Sequence, residues 1–243
     1  MKMKMNDALV MLVLMLLSLT HSASNEVVVA QDGLGDFASI MDAVDTLPED
    51  SPDRFIIRIK AGVYDEIVTV GKKKLNVVFI GDGVDSTVVT GNRSNVGGVR
   101  TFESATLVIE GDGFLATGIT FENRAGPKAE QAVAVRINSY RTAFYRCRIA
   151  SFQDTLYTQD GVQFFRECEI YGTVDFIFGH ARVVLQNCYI YGRLPTLGQT
   201  ITITAQNRDP TCLSGIVIHN CAISATKELS ESVFPVKVYL GRP

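Results

Sequence analysis

Between Phe144 and Tyr191 the chain nearly repeats itself, and that repeat restricts the possible folds more than any other stretch. Tyr145-Arg146-Cys147-Arg148-Ile149 matches Arg166-Glu167-Cys168-Glu169-Ile170 and then Gln186-Asn187-Cys188-Tyr189-Ile190, with the cysteines 21 and 20 residues apart. Seven residues after the first two cysteines come Asp154, in Gln-Asp-Thr-Leu-Tyr, and Asp175, in Val-Asp-Phe-Ile-Phe. One register thus aligns cysteine with cysteine, acid with acid and aromatic with aromatic. Self-similarity at a period of about 20 to 30 residues is the mark of a solenoid, whose coils bury their apolar faces against one another. A fourth copy, Ile218-His219-Asn220-Cys221-Ala222-Ile223, begins its cysteine 33 residues after Cys188, so the coil between carries a longer loop, expected around Arg193 to Gly198.

Elsewhere the chain consists of short apolar runs that end at glycine turns: Phe55–Ile59 before Ala61-Gly62, Leu75–Ile80 before Gly81-Asp82-Gly83, Leu107–Ile109 before Gly111-Asp112-Gly113. Evenly spaced short strands indicate an all-β protein. A sandwich or a barrel would satisfy the strands but gives side chains no reason to recur at a constant period. The fold expected is a right-handed parallel β-helix. Phe37, Ile40, Met41, Val44 and Leu47 recur at helical spacing before Pro48, which predicts one short N-terminal helix able to cover a coil end.

Lys2 and Lys4, the apolar run Ala8–Leu19 and then Ser22-Ala23-Ser24 have the order of a secretory signal over residues 1–24, leaving one domain over 25–243. The apolar run is shorter than the roughly 20 residues of a spanning helix. The expected compartment is extracellular and oxidising, where Asn92-Arg93-Ser94 is a candidate glycosylation acceptor. A net charge of −3 without a long basic run argues against nucleic acid as a partner. Lys72-Lys73-Lys74, between an apolar run and a glycine turn, reads as a solvated turn face.

If the register holds, Asp154 and Asp175 lie one rung apart, roughly 5 Å. Carboxylates that close do not both ionise normally, so one stays protonated near neutrality. Tyr157, Phe176 and Phe178 add desolvation in the same direction. An inverting glycosidase needs carboxyls about 6.5–9.5 Å apart, which adjacent rungs do not readily supply, whereas a retaining pair fits. A calcium site needs more acids than this register provides. Gln131 and Gln153 are amide donors suited to an oxyanion, but Gln153 and Asp154 share a site only at a bend, since strand neighbours face opposite ways. The residues alone point to a two-carboxylate hydrolase on a β-helix. The cysteines could form a buried ladder or one bridge between adjacent rungs, with Cys147–Cys168 and Cys168–Cys188 both open. No spacing matches a zinc site.

Gly62-Val63-Tyr64-Asp65-Glu66, Gly97–Thr106, Gln131-Ala132-Val133-Ala134, Gln153–Tyr157, Asp175–Gly179 and Leu240-Gly241-Arg242-Pro243, in this order, resemble the plant pectin methylesterase family. The likeness covers essentially everything after the signal. It implies a cofactor-free esterase of the cell wall, a monomer that acts on methyl-esterified homogalacturonan and is subject to a proteinaceous inhibitor. By the resemblance, Asp175 is the nucleophile, Asp154 the acid and then the base, and Gln131 and Gln153 hold the oxyanion. Arg242 orients Asp175, and Thr101, Gln131, Tyr157, Phe176 and Arg242 contact substrate. The inter-rung disulfide it implies is Cys168–Cys188. Two departures stand out. His180 replaces the asparagine usual after Asp-Phe-Ile-Phe-Gly. The family pattern continues beyond Pro243 with a cleft tryptophan and further coils, so the chain resembles a C-terminally truncated form without an N-terminal inhibitor-like domain.

Overall fold

The computed structural model describes residues 25–206, 211 and 213–242; the expected signal over 1–24, Cys212 and Pro243 lie outside them. The repeat folds as a right-handed parallel β-helix of three faces. Two 11-residue strands, Val135–Tyr145 and Leu156–Arg166, each serve two of those faces. Register shifts at Ile137/Asn138 and Ser139/Thr142 bend them. The first half of Val135–Tyr145 therefore pairs with Leu107–Ile109 and the second half with Leu115–Thr117. The third face is a seven-stranded sheet that includes Arg148–Ala150, Glu169–Gly172 and Tyr189–Gly192.

The register follows the repeat. Val135 pairs with Leu156 and Leu156 with Ile177 on the first face. Phe144 pairs with Phe165 and Phe165 with Leu185 on the second. Ile149 pairs with Ile170 and Ile170 with Ile190 on the third. All of these side chains are fully buried. Phe79, Phe114, Phe144 and Phe165 form a continuous file inside the coil, the last two stacked with centroids 5.1 Å apart. Burying each ring stabilises by about 2–3 kcal/mol, and each does so only against its neighbours in adjacent coils.

The bend between the second and third faces repeats one device. Arg146, Glu167, Asn187 and Asn220 are left-handed, with φ of 50–55°, a strain that local polar contacts offset. Arg146 donates to Glu167 at 2.9 Å and Asn220 to Asn187 at 2.8 Å. The next residue in each coil is a cysteine. Cys147, Cys168, Cys188 and Cys221 are free thiols, so the Cys168–Cys188 bridge implied by the resemblance is not formed here. Cys168 Sγ donates to the Phe144 and Arg166 carbonyls, and Cys188 Sγ to those of Phe165 and Gln186. The ladder is packed core at this bend, and burial pushes the Cys147 thiol up to about 12.

The expected helix spans Ile40–Thr46 and buries Ile40, Ala43 and Val44 against the first strands. Glu66 fixes its start, accepting from Ser39 Oγ and from the Ile40 and Met41 amides at 2.9–3.1 Å. Lys72, Lys73 and Lys74 lie in a turn, where Lys73 pairs with Glu49 at 2.9 Å. In the long coil, part of the extra length lies at 193–200, where the loop was expected.

Candidate active site

Each coil passes from the third face to the first through a short corner, and the candidate residues collect along that row of corners. The chain turns there by left-handed backbone at Glu130, Asp154 and Asp175, with φ of 57°, 63° and 50°. Aspartate tolerates that conformation better than most side chains. The turn at Asp154 is the bend that lets Gln153 and Asp154 serve one site. Backbone bonds hold the corners in step: Asp154 N donates to Val174 O at 3.0 Å, and Leu156 N to Phe176 O at 2.9 Å. Asp154 and Asp175 thus occupy adjacent rungs, about 4.8 Å apart at ordinary strand spacing. Gln131 and Gln153 form a parallel bridge one rung earlier.

A cavity of about 370 Å³ opens above these corners. Gln131, Gln153, Asp154, Asp175 and Arg242 bring polar groups to it, and Tyr157 and Phe178 form an aromatic wall. Those two rings stack with centroids 4.3 Å apart. Gly179, His180 and Ala205 complete it. Among the described residues no group of three or more His, Cys, Asp or Glu side chains is arranged to hold a metal ion.

The two acids are equally buried but differently served. Arg242 forks onto Asp175, Nε to Oδ1 at 2.7 Å and Nη2 to Oδ2 at 2.5 Å, the bidentate geometry that favours a carboxylate. Asp154 has no such partner. Burial first, and the Asp175 charge second, raise its pKa to about 7, against a smaller lowering by Arg242. Asp154 is therefore a neutral acid over most of the range in which Asp175 faces a cation. Among the described residues, the Gln131 Oε1 is buried without a hydrogen-bond partner.

Two predicted contacts lie elsewhere. Phe176 is fully buried, with its side chain turned into the core against Gly172, so it does not face the cavity; Phe178, two residues on, does. Thr101 lies in a 3₁₀ turn on the flank, its carbonyl accepting from Ser104 Oγ, and does not line the cavity. That turn is held by Arg136, which donates to Phe102 O at 3.1 Å and pairs with Glu110.

Ala205 is a residue that motif reading missed. In register it sits between Phe178 and Arg242, so Arg242 must cross its rung to reach Asp175. A methyl group leaves that path open. Ala205→Leu is expected to lower any turnover at this site by about 10- to 100-fold, with Ala205→Ser nearly neutral, because misplacing an orienting group is costly. Equal activity of the two variants would refute this positioning role. Gly179 is constrained too, with φ of 130° and the Thr158 carbonyl oxygen only 2.0 Å from where a Cβ would sit. Gly179→Ala is expected to destabilise by about 2–4 kcal/mol, read as a lower midpoint in urea unfolding; an unchanged midpoint would contradict it.

The pectinesterase family model matches residues 26–243. The chain belongs to the pectinesterase family. It is 50% identical to a probable pectinesterase/pectinesterase inhibitor of Arabidopsis thaliana over 92% of its own length but only 38% of that relative's. It thus spans less than half the length of these relatives of the combined kind, 41% of a second one. Pectin methylesterase from carrot superimposes with a TM-score of 0.89 at 50% identity, over 92% of this chain and 70% of that one. A pectin methylesterase solved in complex with a hexasaccharide superimposes at 0.80 and 29% identity, over 92% and 71%. Pectinesterase folds of this kind are parallel β-helices, as found here.

Proposed function

We propose that the chain is a carboxylic ester hydrolase that removes methyl groups from homogalacturonan, giving pectate and methanol. The observation that carries this is the asymmetry of the acid pair: an Arg-forked Asp175 beside a buried Asp154, without an ion-pair partner among the described residues and raised to about 7. An Asp175 oxygen attacks the C6 ester carbonyl, and the carbonyl electrons move onto an oxyanion that the Gln131 and Gln153 carboxamides receive. Collapse breaks the bond to methoxide, which leaves as methanol with the Asp154 proton. Asp154, now a carboxylate, takes a proton from water, whose hydroxide opens the acyl-enzyme anhydride and restores Asp175. Proton and electron pairs balance over the two half-reactions without a further reactant. The relative solved with a hexasaccharide supports an oligosaccharide-sized ligand, for which the stacked Tyr157 and Phe178 offer an aromatic flank.

Methanol release from esterified pectin by the purified chain tests the activity, and new reducing ends are not expected. Because the first step needs protonated Asp154, kcat/KM should decline as pH rises beyond about 7. A rate that climbs steadily to pH 9 would remove Asp154 from the acid's role. The same reading assigns the protein to the cell wall, delivered by residues 1–24, with an inhibitor protein that blocks this cleft as its anticipated partner.

A further inference from the structure

The outer surface of the third face carries tyrosines that the ester chemistry does not use. Tyr189 and Tyr191 flank the buried Ile190, so both point outward from the strand Tyr189–Gly192. In the rung before, Glu169 lies in register with Tyr189, and Tyr171 with Tyr191. Tyr171 and Tyr191 stack with centroids 4.7 Å apart, which is the spacing between rungs. Their ring normals therefore run along the coil axis. Tyr189 and Tyr191 are displaced along the strand instead, by 6.3 Å with planes 10° apart. They lie side by side as one flat surface.

One side of that surface rests on a fixed layer. Tyr171 backs Tyr191, and behind Tyr189 the Glu169 carboxylate accepts from Arg148 Nε at 2.7 Å and from Tyr171 Oη at 3.1 Å. Arg148 also donates to Asp85 at 2.8 Å. The other side is open. In the next rung Tyr189 pairs with Ala222 and Tyr191 with Ser224, both exposed and both too short to cover a ring. Among the described residues no aromatic side chain stacks on these far faces, and Tyr189 is 52% exposed. The result is a ledge one rung deep, about 4.8 Å at ordinary strand spacing. Two ring faces form its floor, and Ala222 and Ser224 form its back.

We propose that this ledge is a carbohydrate-binding site, remote from the acid pair, for an uncharged polysaccharide of flat, equatorially linked pyranose rings. The ledge is one ring thick, and the negative faces of the tyrosines attract the polarised C–H groups of a pyranose face. The tyrosine and Ser224 hydroxyls at its edge suit the sugar's own hydroxyls. Charge excludes a polyanion. Asp85 and Glu169 both hold Arg148, which leaves this patch one negative charge in excess and repels galacturonate. A protein partner is a poorer fit, since a stable interface buries about 800 Å² on each side, more than two ring faces supply. The site stands whether or not the cavity is an esterase; it would hold the molecule on a neutral polymer while the cavity engages another.

The test is calorimetric binding of cellohexaose, a neutral β-1,4-linked hexamer, to the wild type and to Y189A, S224Y and Y140A, each checked for folding by circular dichroism. Tyr189→Ala should weaken binding by about three- to tenfold. Ser224→Tyr continues the stack into the ledge and should abolish binding. It adds a ring at an exposed position, so it keeps the test decisive if Tyr189→Ala unfolds. Tyr140→Ala, which removes an exposed tyrosine outside the ledge, should bind as the wild type does. Affinity should not change with salt, because the ligand carries no charge. No binding by the wild type, undiminished binding by S224Y, or an equal loss in Y140A would overturn the site. So would displacement of cellohexaose by an unesterified galacturonate hexamer, which would place the ligand in the catalytic cavity. A wild type that sediments as a dimer and is made monomeric by S224Y would overturn it too, by assigning the face to a second copy.

Discussion

On the proposed mechanism, Asp175→Asn is expected to reduce methanol release by at least about 10³-fold, because it removes the oxygen assigned to the attack and leaves the rest of the site in place. Asparagine has the same shape, and the Arg242 side chain that would lose its carboxylate is 58% exposed. Water can take over that cation, so the change in stability should be below about 1 kcal/mol. The prediction is thus specific: a folded protein, with an unchanged thermal midpoint, that no longer turns over. Retention of more than a tenth of the activity would show that Asp175 is not the nucleophile. Collapse of the fold would show instead that the ion pair holds the corner together.

Asp154→Asn separates catalysis from stability in the opposite direction. A carboxyl raised to about 7 by burial and by the neighbouring charge holds its proton in the folded chain where the unfolded chain, near pH 4, has already released it. Between those values the folded state binds more protons, so stability falls as pH rises and the loss is complete above pH 7. Asparagine has no proton to lose. The variant should therefore match the wild type at pH 4 and exceed it at pH 8 by about 2–4 kcal/mol, while its turnover drops by about 10²- to 10⁴-fold. Thermal melts at both pH values check the first part. A variant less stable than the wild type at pH 8 would mean that the Asp154 carboxylate is satisfied in the folded chain.

The coil geometry was legible because inward positions repeat. Phe144 over Phe165 and Ile149 over Ile170 and Ile190 follow directly from aligning the cysteines, and the acids fall into register with them. Corners are less legible. The left-handed turn at Asp154 was needed to bring Gln153 and Asp154 together, yet strand alternation alone argued against it. The same turns explain the misassigned aromatic: after Asp175 the chain does not alternate as a strand would, so Phe176 goes inward and Phe178 reaches the cavity. Ala205 lies within the irregular coil and Arg242 beyond it, where the period no longer counts residues, and the pairing of strands is what aligns them with Phe178. For the cysteines, periodicity predicts adjacency, and the thiols of Cys168 and Cys188 do meet across neighbouring rungs.

Among the described residues, the strand that carries Arg242, Val238–Arg242, is exposed along its whole length and pairs with Ile201–Ala205 alone. Segments with few buried contacts open at a small fraction of the global unfolding free energy. Asp175, by contrast, sits on a corner bonded on both sides to buried coils. Asp175 and its counterion therefore belong to parts of the molecule with different lifetimes. Hydrogen exchange at Val238–Arg242 should be fast while the amides around Phe165 and Ile170 stay protected. On warming, activity should fade through fraying of this one strand before the β-helix itself melts.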